Sequence, residues 1–176
     1  MNQTTAPKPG GAVSSVLIVD DHPLYSDALA SALELAFGAC AIRKASTLAE
    51  ALETVAFGFH PDLVTFDLKL PDVAGISGFL KLRDRLPKSR ILVISSLASV
   101  ELVQSLIREG AAGFLPKDTS AQKLKAVVAQ IAAGGTYVPA DYQQADSDDG
   151  SGSRDRPVNP KLAELTPQQQ RIMELI

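Results

Sequence analysis

The feature of the sequence that most limits its fold is an alternation of two kinds of segment from residue 13 to residue 140. The first kind is a short run that is apolar or β-branched at nearly every position, rather than at every second one. Such runs fit strands that are buried on both faces, as in a parallel sheet. The runs of this kind are Val16–Val19, Leu63–Phe66 and Ile91–Ile94, and Cys40–Lys44 and Gly113–Leu115 are further strand candidates that fit the pattern less closely.

The second kind of segment lies between these runs and has helical spacing of apolar residues. In Leu48–Val55 the apolar side chains lie at i, i+3, i+4 and i+7, which places them on one face of a helix, and other segments repeat this spacing. Pro23 suits the first turn of a helix, and Thr119 with Gln122 has the spacing of a capping box. Five repeats of strand and helix predict an α/β fold whose parallel sheet carries helices on both faces.

Polar residues follow four of the five strand candidates. Asp20 and Asp21 come directly after the first, Asp67 after the third, Ser95 after the fourth, and Lys117 just beyond the fifth. In an open α/β sheet the ligand crevice lies at the carboxyl ends of the strands. A strand order of 2-1-3-4-5 makes strands one and three neighbours, so we expect the three aspartates to lie together at this edge.

These residue types suit phosphoryl transfer. Three carboxylates in one pocket repel each other unless a cation is bound, and oxygen ligands suit Mg²⁺. With Lys117 and the Ser95 hydroxyl nearby, an aspartate can act as a nucleophile and form an aspartyl phosphate. Taken singly, each residue also fits a turn, a helix cap or a solvated side chain. We expect His22 to start a helix rather than to act in catalysis, and Phe114 to lie in the core.

Composition excludes several other classes of protein. The 176 residues include 45% hydrophobic residues, too many for a disordered chain, and a single cysteine, Cys40, which excludes a disulfide scaffold. The sequence contains no apolar run near the ~20 residues of a membrane span and no secretory signal, so a cytoplasmic location is expected. The net charge of −3 does not indicate a nucleic-acid-binding surface.

The remainder of the chain divides into three parts. Residues 1–12 have the composition of a flexible tail, ahead of a domain at residues 13–140. Residues 141–160 contain five acids and two arginines, which predicts a flexible linker. Residues 161–176 begin a helix with Thr166 as its N-cap, but one short helix cannot form a core. This last segment is therefore expected to open a further, all-α domain.

The residues at the strand ends belong to motifs that closely resemble the receiver domain of two-component response regulators. The motifs are VLIVDDHP at 16–23, FDLKLPDVAG at 66–75, ILVISS at 91–96 and GFLPKD at 113–118. The first motif, with GGTYVP at 134–139, resembles the NarL/FixJ subfamily, and residues 165–176 are similar to the opening of a LuxR-type helix-turn-helix domain. The resemblance implies a flavodoxin-like (βα)5 fold, in agreement with the strand order above.

The resemblance implies a metal site and a phosphoacceptor. Asp67 would accept a phosphoryl group from a cognate sensor histidine kinase. Asp21, Asp67 and the backbone carbonyl of Lys69 would bind Mg²⁺ (or Mn²⁺), with Asp20 helping through water. Such a domain is a signalling module rather than an enzyme. At most it phosphorylates itself from small acyl phosphates and loses the phosphoryl group again.

The resemblance also implies a switch that controls an output domain. Ser95 would reorient toward the phosphoryl group, Lys117 would pair with it, and Phe114 would follow as the switch aromatic. Because the recognition helix of the LuxR-type domain is missing, we expect a truncated chain. It would reach DNA only through the full-length output domain, and a phosphorylation-dependent homodimer is compatible with this reading. No membrane partner is expected.

Two alternatives stay open. An aspartate-nucleophile, Mg²⁺-dependent phosphatase also uses Asp, Mg²⁺ and Lys at strand ends, although it usually has a second acid where this chain has Lys69. The other alternative is a receiver-like interaction module that never takes phosphate.

Overall fold

The computed structural model describes residues 13–96 and 98–143, which contain a five-stranded parallel sheet. The strands lie in the order β2-β1-β3-β4-β5, so the predicted topology is confirmed. Each predicted strand is found, with bounds that differ by one residue at most. The strands are β1 (Ser15–Val19), β2 (Ala41–Ala45), β3 (Leu63–Phe66), β4 (Arg90–Ser95) and β5 (Gly113–Pro116).

A helix follows each strand. The helices are α1 (Pro23–Phe37), α2 (Leu48–Ala56), α3 (Ser77–Arg85), α4 (Val100–Arg108) and α5 (Ala121–Ala132), and a 3₁₀ turn (Ala140–Tyr142) comes after them. Pro23 is the first residue of α1, as predicted. The expected capping box of α5 is wrong by one residue. Ser120 is the N-cap and accepts the Lys123 N–H, whereas the Thr119 hydroxyl donates to the Pro116 carbonyl.

The sheet separates two apolar clusters, which explains why its central strands are apolar on both faces. Alternate residues of the strands, such as Ile18 and Leu92, pack with α1 and α5. The residues between them, such as Leu17 and Phe66, pack with α2, α3 and α4 on the other face. This arrangement buries β1, β3 and β4, so their carboxyl ends are held rigidly beneath the loops that follow.

The register of β1 and β3 sets the position of the polar residues. Val19 pairs with Phe66, and the Asp67 N–H donates to the Val19 carbonyl at 3.0 Å. Asp20 and Asp67 therefore leave the sheet side by side.

The chain beyond α5 returns to the open edge of β5. The Phe114 N–H donates to the Tyr137 carbonyl at 3.0 Å, and the Tyr137 N–H donates to the Ala112 carbonyl at 3.1 Å. A Cβ at Gly113 would lie 2.5 Å from the Tyr137 carbonyl oxygen, so this close approach requires glycine. The described residues continue to Gln143, three residues past the predicted domain end at 140, and the Gln143 side-chain amide donates to the Val138 carbonyl at 2.8 Å.

Three of the sequence predictions fall outside the described residues. They are the tail at residues 1–12, the predicted linker at residues 141–160 apart from its first three residues, and the helix-turn-helix opening at residues 161–176. Over the described ranges, no helix is long and apolar enough to cross a membrane.

Candidate functional site

The polar residues predicted at the strand ends do meet at one edge of the sheet. Asp20 and Asp21 follow β1, Asp67 follows β3, Ser95 is the last residue of β4, and Lys117 follows β5. Their burial differs: the Asp67 side chain is 1% exposed and that of Asp21 is 34% exposed. The site is therefore a shallow crevice with one carboxylate at its floor and another at its rim.

Lys117 joins the two buried carboxylates. Its Nζ lies 2.9 Å from Asp67 Oδ2 and 2.7 Å from Asp20 Oδ2. The Lys117 N–H donates to the Ser95 carbonyl at 3.1 Å, which anchors the base of this lysine to β4. Burial works against its charged form, but the hydrogen bonds to Asp20 and Asp67 prevail and raise the pKa of Lys117 above its ordinary value. The ammonium is therefore a fixed positive charge in the crevice.

Each of the two buried carboxylates uses its other oxygen to accept a local backbone N–H. Asp67 Oδ1 accepts from Lys69 N at 2.9 Å, and Asp20 Oδ1 accepts from His22 N at 2.8 Å. These contacts fix the orientation of both carboxylates, so that the Oδ2 atoms face Lys117. The Lys69 backbone, which the family resemblance implied as a ligand, thus lies beside Asp67.

His22 belongs to the cluster, which sequence reasoning missed. It is the N-cap residue of α1, as expected, but its ring faces the acids. Its Nδ1 lies 2.9 Å from Asp20 Oδ1, 3.0 Å from Asp21 Oδ1 and 3.8 Å from Asp67 Oδ2. The only signal in the sequence was its position directly after Asp21. One ligand atom from each of these four residues lies within 4.8 Å of the others, a spacing that can hold a metal ion.

Tyr25 is a second neighbour that the sequence did not reveal. Lys117 Nζ lies 4.8 Å from the centre of the Tyr25 ring, a cation–π contact. Burial, and then the negative charges of Asp20 and Asp67, raise the pKa of Tyr25 to about 12. The ring comes from the first turn of α1, so it brings an apolar wall to the lysine side of the crevice.

Ser95 lies at the same edge, but its hydroxyl is not engaged. The side chain is fully buried, and its Oγ has no hydrogen-bond partner among the described residues. A buried polar atom without a partner costs free energy, so such an atom calls for an explanation. A group that enters the crevice could accept a hydrogen bond from this hydroxyl.

Phe114 is buried on β5, as expected for a core residue. Its ring meets the ring of Tyr142 edge-on, with centroids 4.9 Å apart and planes at 61°. Tyr142 lies in the 3₁₀ turn beyond α5, where it packs against the cluster that includes Val103 and Leu106 of α4. The aromatic residue on β5 therefore contacts the 3₁₀ turn that follows α5.

Comparisons with known proteins identify a family whose fold and site agree with those described above. Residues 16–129 match the response regulator receiver domain family, over a span that includes every residue of the crevice. The chain belongs to this family. The sheet order, the acidic crevice and the lysine after β5 are therefore those of a receiver.

Relatives place the receiver among transcriptional regulators. The chain is 30% identical to the transcriptional regulatory protein MctR of Rhizobium johnstonii, over 92% of this chain and 72% of MctR. It is 28% identical to the nitrate/nitrite response regulator NarL of Escherichia coli, over 93% and 74%. The subfamily resemblance seen in the sequence is thus confirmed.

A solved structure adds a chemical comparison. The receiver resembles a response regulator from Burkholderia pseudomallei that holds a phosphorylated aspartic acid, a calcium ion and citrate. The TM-score is 0.59 and the identity 29%, over 69% of each chain. In eight of the curated relatives that it matches, the chain spans between 52% and 74% of their length. The receiver is a signalling domain, and the matches give no support to the phosphatase alternative.

Proposed function

We propose that Asp67 accepts a phosphoryl group from a sensor histidine kinase, and that the transfer switches the receiver to control transcription through an output domain. The observation that carries the proposal is the placement of Asp67. This carboxylate is at the floor of the crevice, and Lys117 Nζ lies 2.9 Å from its Oδ2. A buried carboxylate held beside a fixed cation is a positioned nucleophile for a phosphoryl group.

The transfer needs little covalent chemistry from the protein. A carboxylate oxygen of Asp67 forms a bond to phosphorus while the bond from phosphorus to the leaving group breaks. The electron pair of that bond stays on the leaving group, a phosphohistidine nitrogen or the oxygen of a small acyl phosphate. Lys117 neutralises charge on the phosphoryl oxygens, which lowers the barrier.

The donor atoms of the crevice suit a divalent cation. Carboxylate oxygens of Asp20, Asp21 and Asp67 lie close together, and oxygen ligands are those that Mg²⁺ and Mn²⁺ accept. The backbone carbonyl of Lys69 would complete the set. When bound, the cation supplies further positive charge for the phosphoryl oxygens. The calcium ion in the Burkholderia relative, found together with a phosphorylated aspartic acid, supports this role.

The Ser95 hydroxyl is buried without a described hydrogen-bond partner, which supports the role of Ser95 as the switch residue. A phosphoryl oxygen on Asp67 gives this hydroxyl a partner to which it can donate. Movement of Ser95 toward the phosphoryl group leaves space that Phe114 fills, and the contact of Phe114 with Tyr142 passes the change to the segment beyond α5. In this proposal the output domain of the full-length protein binds DNA. A phosphorylation-dependent homodimer fits the same scheme.

The test is the intact mass of the chain after incubation with acetyl phosphate and Mg²⁺. We expect one added phosphoryl group, which is absent when Mg²⁺ is chelated and absent in Asp67→Asn. Asp72→Asn is the matched control, because Asp72 is exposed in the neighbouring loop and accepts N–H groups of α2. An unmodified mass, or a phosphoryl group that persists in Asp67→Asn, would overturn the proposal.

A further inference from the structure

We propose that the open edge of β2 binds an extended acidic segment of a partner protein, which joins the sheet as a further strand and places an apolar side chain in an adjoining groove. In the described residues β2 pairs with β1 alone, so its other edge is open. The groove beside this edge has a volume of about 400 Å³. It is lined by two cations, a threonine and two aromatic residues, namely Arg43, Lys44, Thr54, Phe57 and Phe59. The edge and the groove share no residue with the crevice.

The backbone of β2 supplies the hydrogen-bonding groups for such a strand. The Ala41 N–H donates to the Ser14 carbonyl at 2.9 Å, so the backbone groups of Ala41 face β1. Because the direction of these groups alternates along a strand, those of Arg43 also face β1, whereas those of Ile42 and Lys44 face away from it. An edge with outward N–H and C=O groups is a template for another extended chain.

The turn after α2 brings two aromatic rings to this edge. The Phe59 N–H donates to the Thr54 carbonyl at 3.3 Å, and the Gly58 N–H donates to the Val55 carbonyl at 3.0 Å, a pair of bonds that closes the end of the helix. The turn needs a φ of 99° at Gly58, which glycine adopts without strain. It leaves Phe57 84% exposed and Phe59 half-buried. The groove therefore offers an aromatic surface against which an apolar side chain can pack.

The charges of the groove favour an acidic occupant. Arg43 is exposed, with its Cζ 5.9 Å from the centre of the Phe59 ring, and it has no ion pair among the described residues. The Lys44 ammonium contacts Asp27 of α1, but both side chains are largely exposed, so this pair is weak and can exchange its partner. No carboxylate is among the residues that line the groove. An acidic segment is thus complementary to this surface, and a basic one is repelled.

A second copy of this chain fits the same edge less well. Two β2 strands related by a two-fold axis run antiparallel, so full pairing of Ala41–Ala45 would place Arg43 of one copy opposite Arg43 of the other. Like charges directly opposite each other destabilise a pair of strands. The charges that favour an acidic segment therefore oppose self-pairing of the chain.

The test is an NMR titration of the full chain with a synthetic peptide of alternating glutamate and valine that has one central phenylalanine. We expect saturable binding that slows hydrogen exchange of the Ile42 and Lys44 amides at least about tenfold, whereas the Ala41 amide, which is already bonded to Ser14, changes little. The same peptide with lysine in place of glutamate should not bind. N-methylation of the acidic peptide at alternate residues should weaken its binding at least about tenfold, because it removes main-chain donors.

Two variants locate the binding site. Arg43→Glu should lower the affinity for the acidic peptide at least about tenfold, and Phe57→Ser at least about threefold, because each removes a group that lines the groove. Both residues are exposed, so both variants should fold. Lys88→Glu is the matched control, since it makes the same change of charge at an exposed residue between α3 and β4. It should change the affinity by less than about twofold.

Four results of the titrations would overturn the proposal. They are no binding of the acidic peptide, equal binding of the lysine peptide, equal losses of affinity in Arg43→Glu and Lys88→Glu, and tighter binding of single-stranded DNA than of the acidic peptide. Self-association of the chain that Arg43→Glu abolishes would also overturn it, because the occupant would then be a second copy. Arg43→Glu should still take a phosphoryl group at Asp67, so these results do not depend on the proposed function.

Discussion

Lys117 and Asp67 are 50 residues apart in the chain, yet Lys117 Nζ lies 2.9 Å from Asp67 Oδ2. The contact joins the loop after β5 to the loop after β3, across the carboxyl end of β4. Because Lys117 also contacts Asp20, one ammonium offsets the charges of two buried carboxylates. The stability of the receiver and the chemistry of its crevice therefore depend on the same side chain.

Replacement of Lys117 by methionine should lower both stability and phosphorylation. The variant leaves Asp20 and Asp67 buried without their cation, which is expected to cost about 1–3 kcal/mol of unfolding free energy. Added Mg²⁺ should recover part of this loss, because it offsets the same charges. Chemical denaturation with and without Mg²⁺ measures the effect. Lys69→Met is the control, since Lys69 is exposed and its described contact to the site is through its backbone N–H. Equal stability of the two variants would contradict this prediction.

Replacement of Ser95 by alanine should separate switching from folding. The Ser95 hydroxyl is buried without a described partner, so its removal should change the unfolding free energy by less than about 1 kcal/mol. The variant should still take a phosphoryl group at Asp67 but lose the chemical-shift changes at Phe114 that accompany phosphorylation.

Thr65 provides the comparison for Ser95. Its hydroxyl is also buried without a described partner, but on β3. Thr65→Val should be tolerated in folding and should retain the phosphorylation response at Phe114, as measured by NMR. A response that survives in Ser95→Ala would rule out Ser95 as the switch residue.

The contact between Phe114 and Tyr142 should give a measurable coupling energy in the unfolding free energy. An edge-on pair of rings contributes about 0.5–1.5 kcal/mol beyond burial of area. A double-mutant cycle of Phe114→Leu and Tyr142→Leu, followed by denaturation, should therefore give a coupling energy of about 1 kcal/mol. On phosphorylation of Asp67 this coupling should change, because the proposed switch moves the ring of Phe114. A coupling near zero in both states would show that Tyr142 does not sense the switch.

Alkaline pH should lower the unfolding free energy of the metal-free receiver. The pKa of Tyr25 is raised from 10.0 to about 12, so the folded state holds the phenol proton more tightly than the unfolded state does. The stability from this group is thus complete below pH 10 and is lost as pH rises through about 12. Ultraviolet titration of tyrosinate measures the pKa, and denaturation at several pH values measures the stability. Tyr25→Phe should make the loss between pH 10 and 12 smaller, and an unchanged loss would contradict the assignment.

The sequence predicted the sheet and most of the crevice because both depend on local signals. Runs such as Ile91–Ile94 indicate buried strands, and polar residues placed directly after such strands must share an edge of a parallel sheet. The contacts that the sequence did not predict depend on the direction in which side chains point. His22 and Tyr25 reach the crevice because the first turn of α1 directs their rings there, and nothing in their spacing shows this. The N-cap of α5 is Ser120 rather than the predicted Thr119, because the Thr119 hydroxyl donates instead to the Pro116 carbonyl.

The most direct test of the central claim is to locate the phosphoryl group in the chain. After phosphorylation with acetyl phosphate and Mg²⁺, reduction with borohydride converts an aspartyl phosphate to homoserine, and peptide mass spectrometry identifies the converted residue. The account predicts homoserine at position 67, with Asp20, Asp21 and Asp72 unchanged. Conversion at another aspartate, or at none, would contradict it.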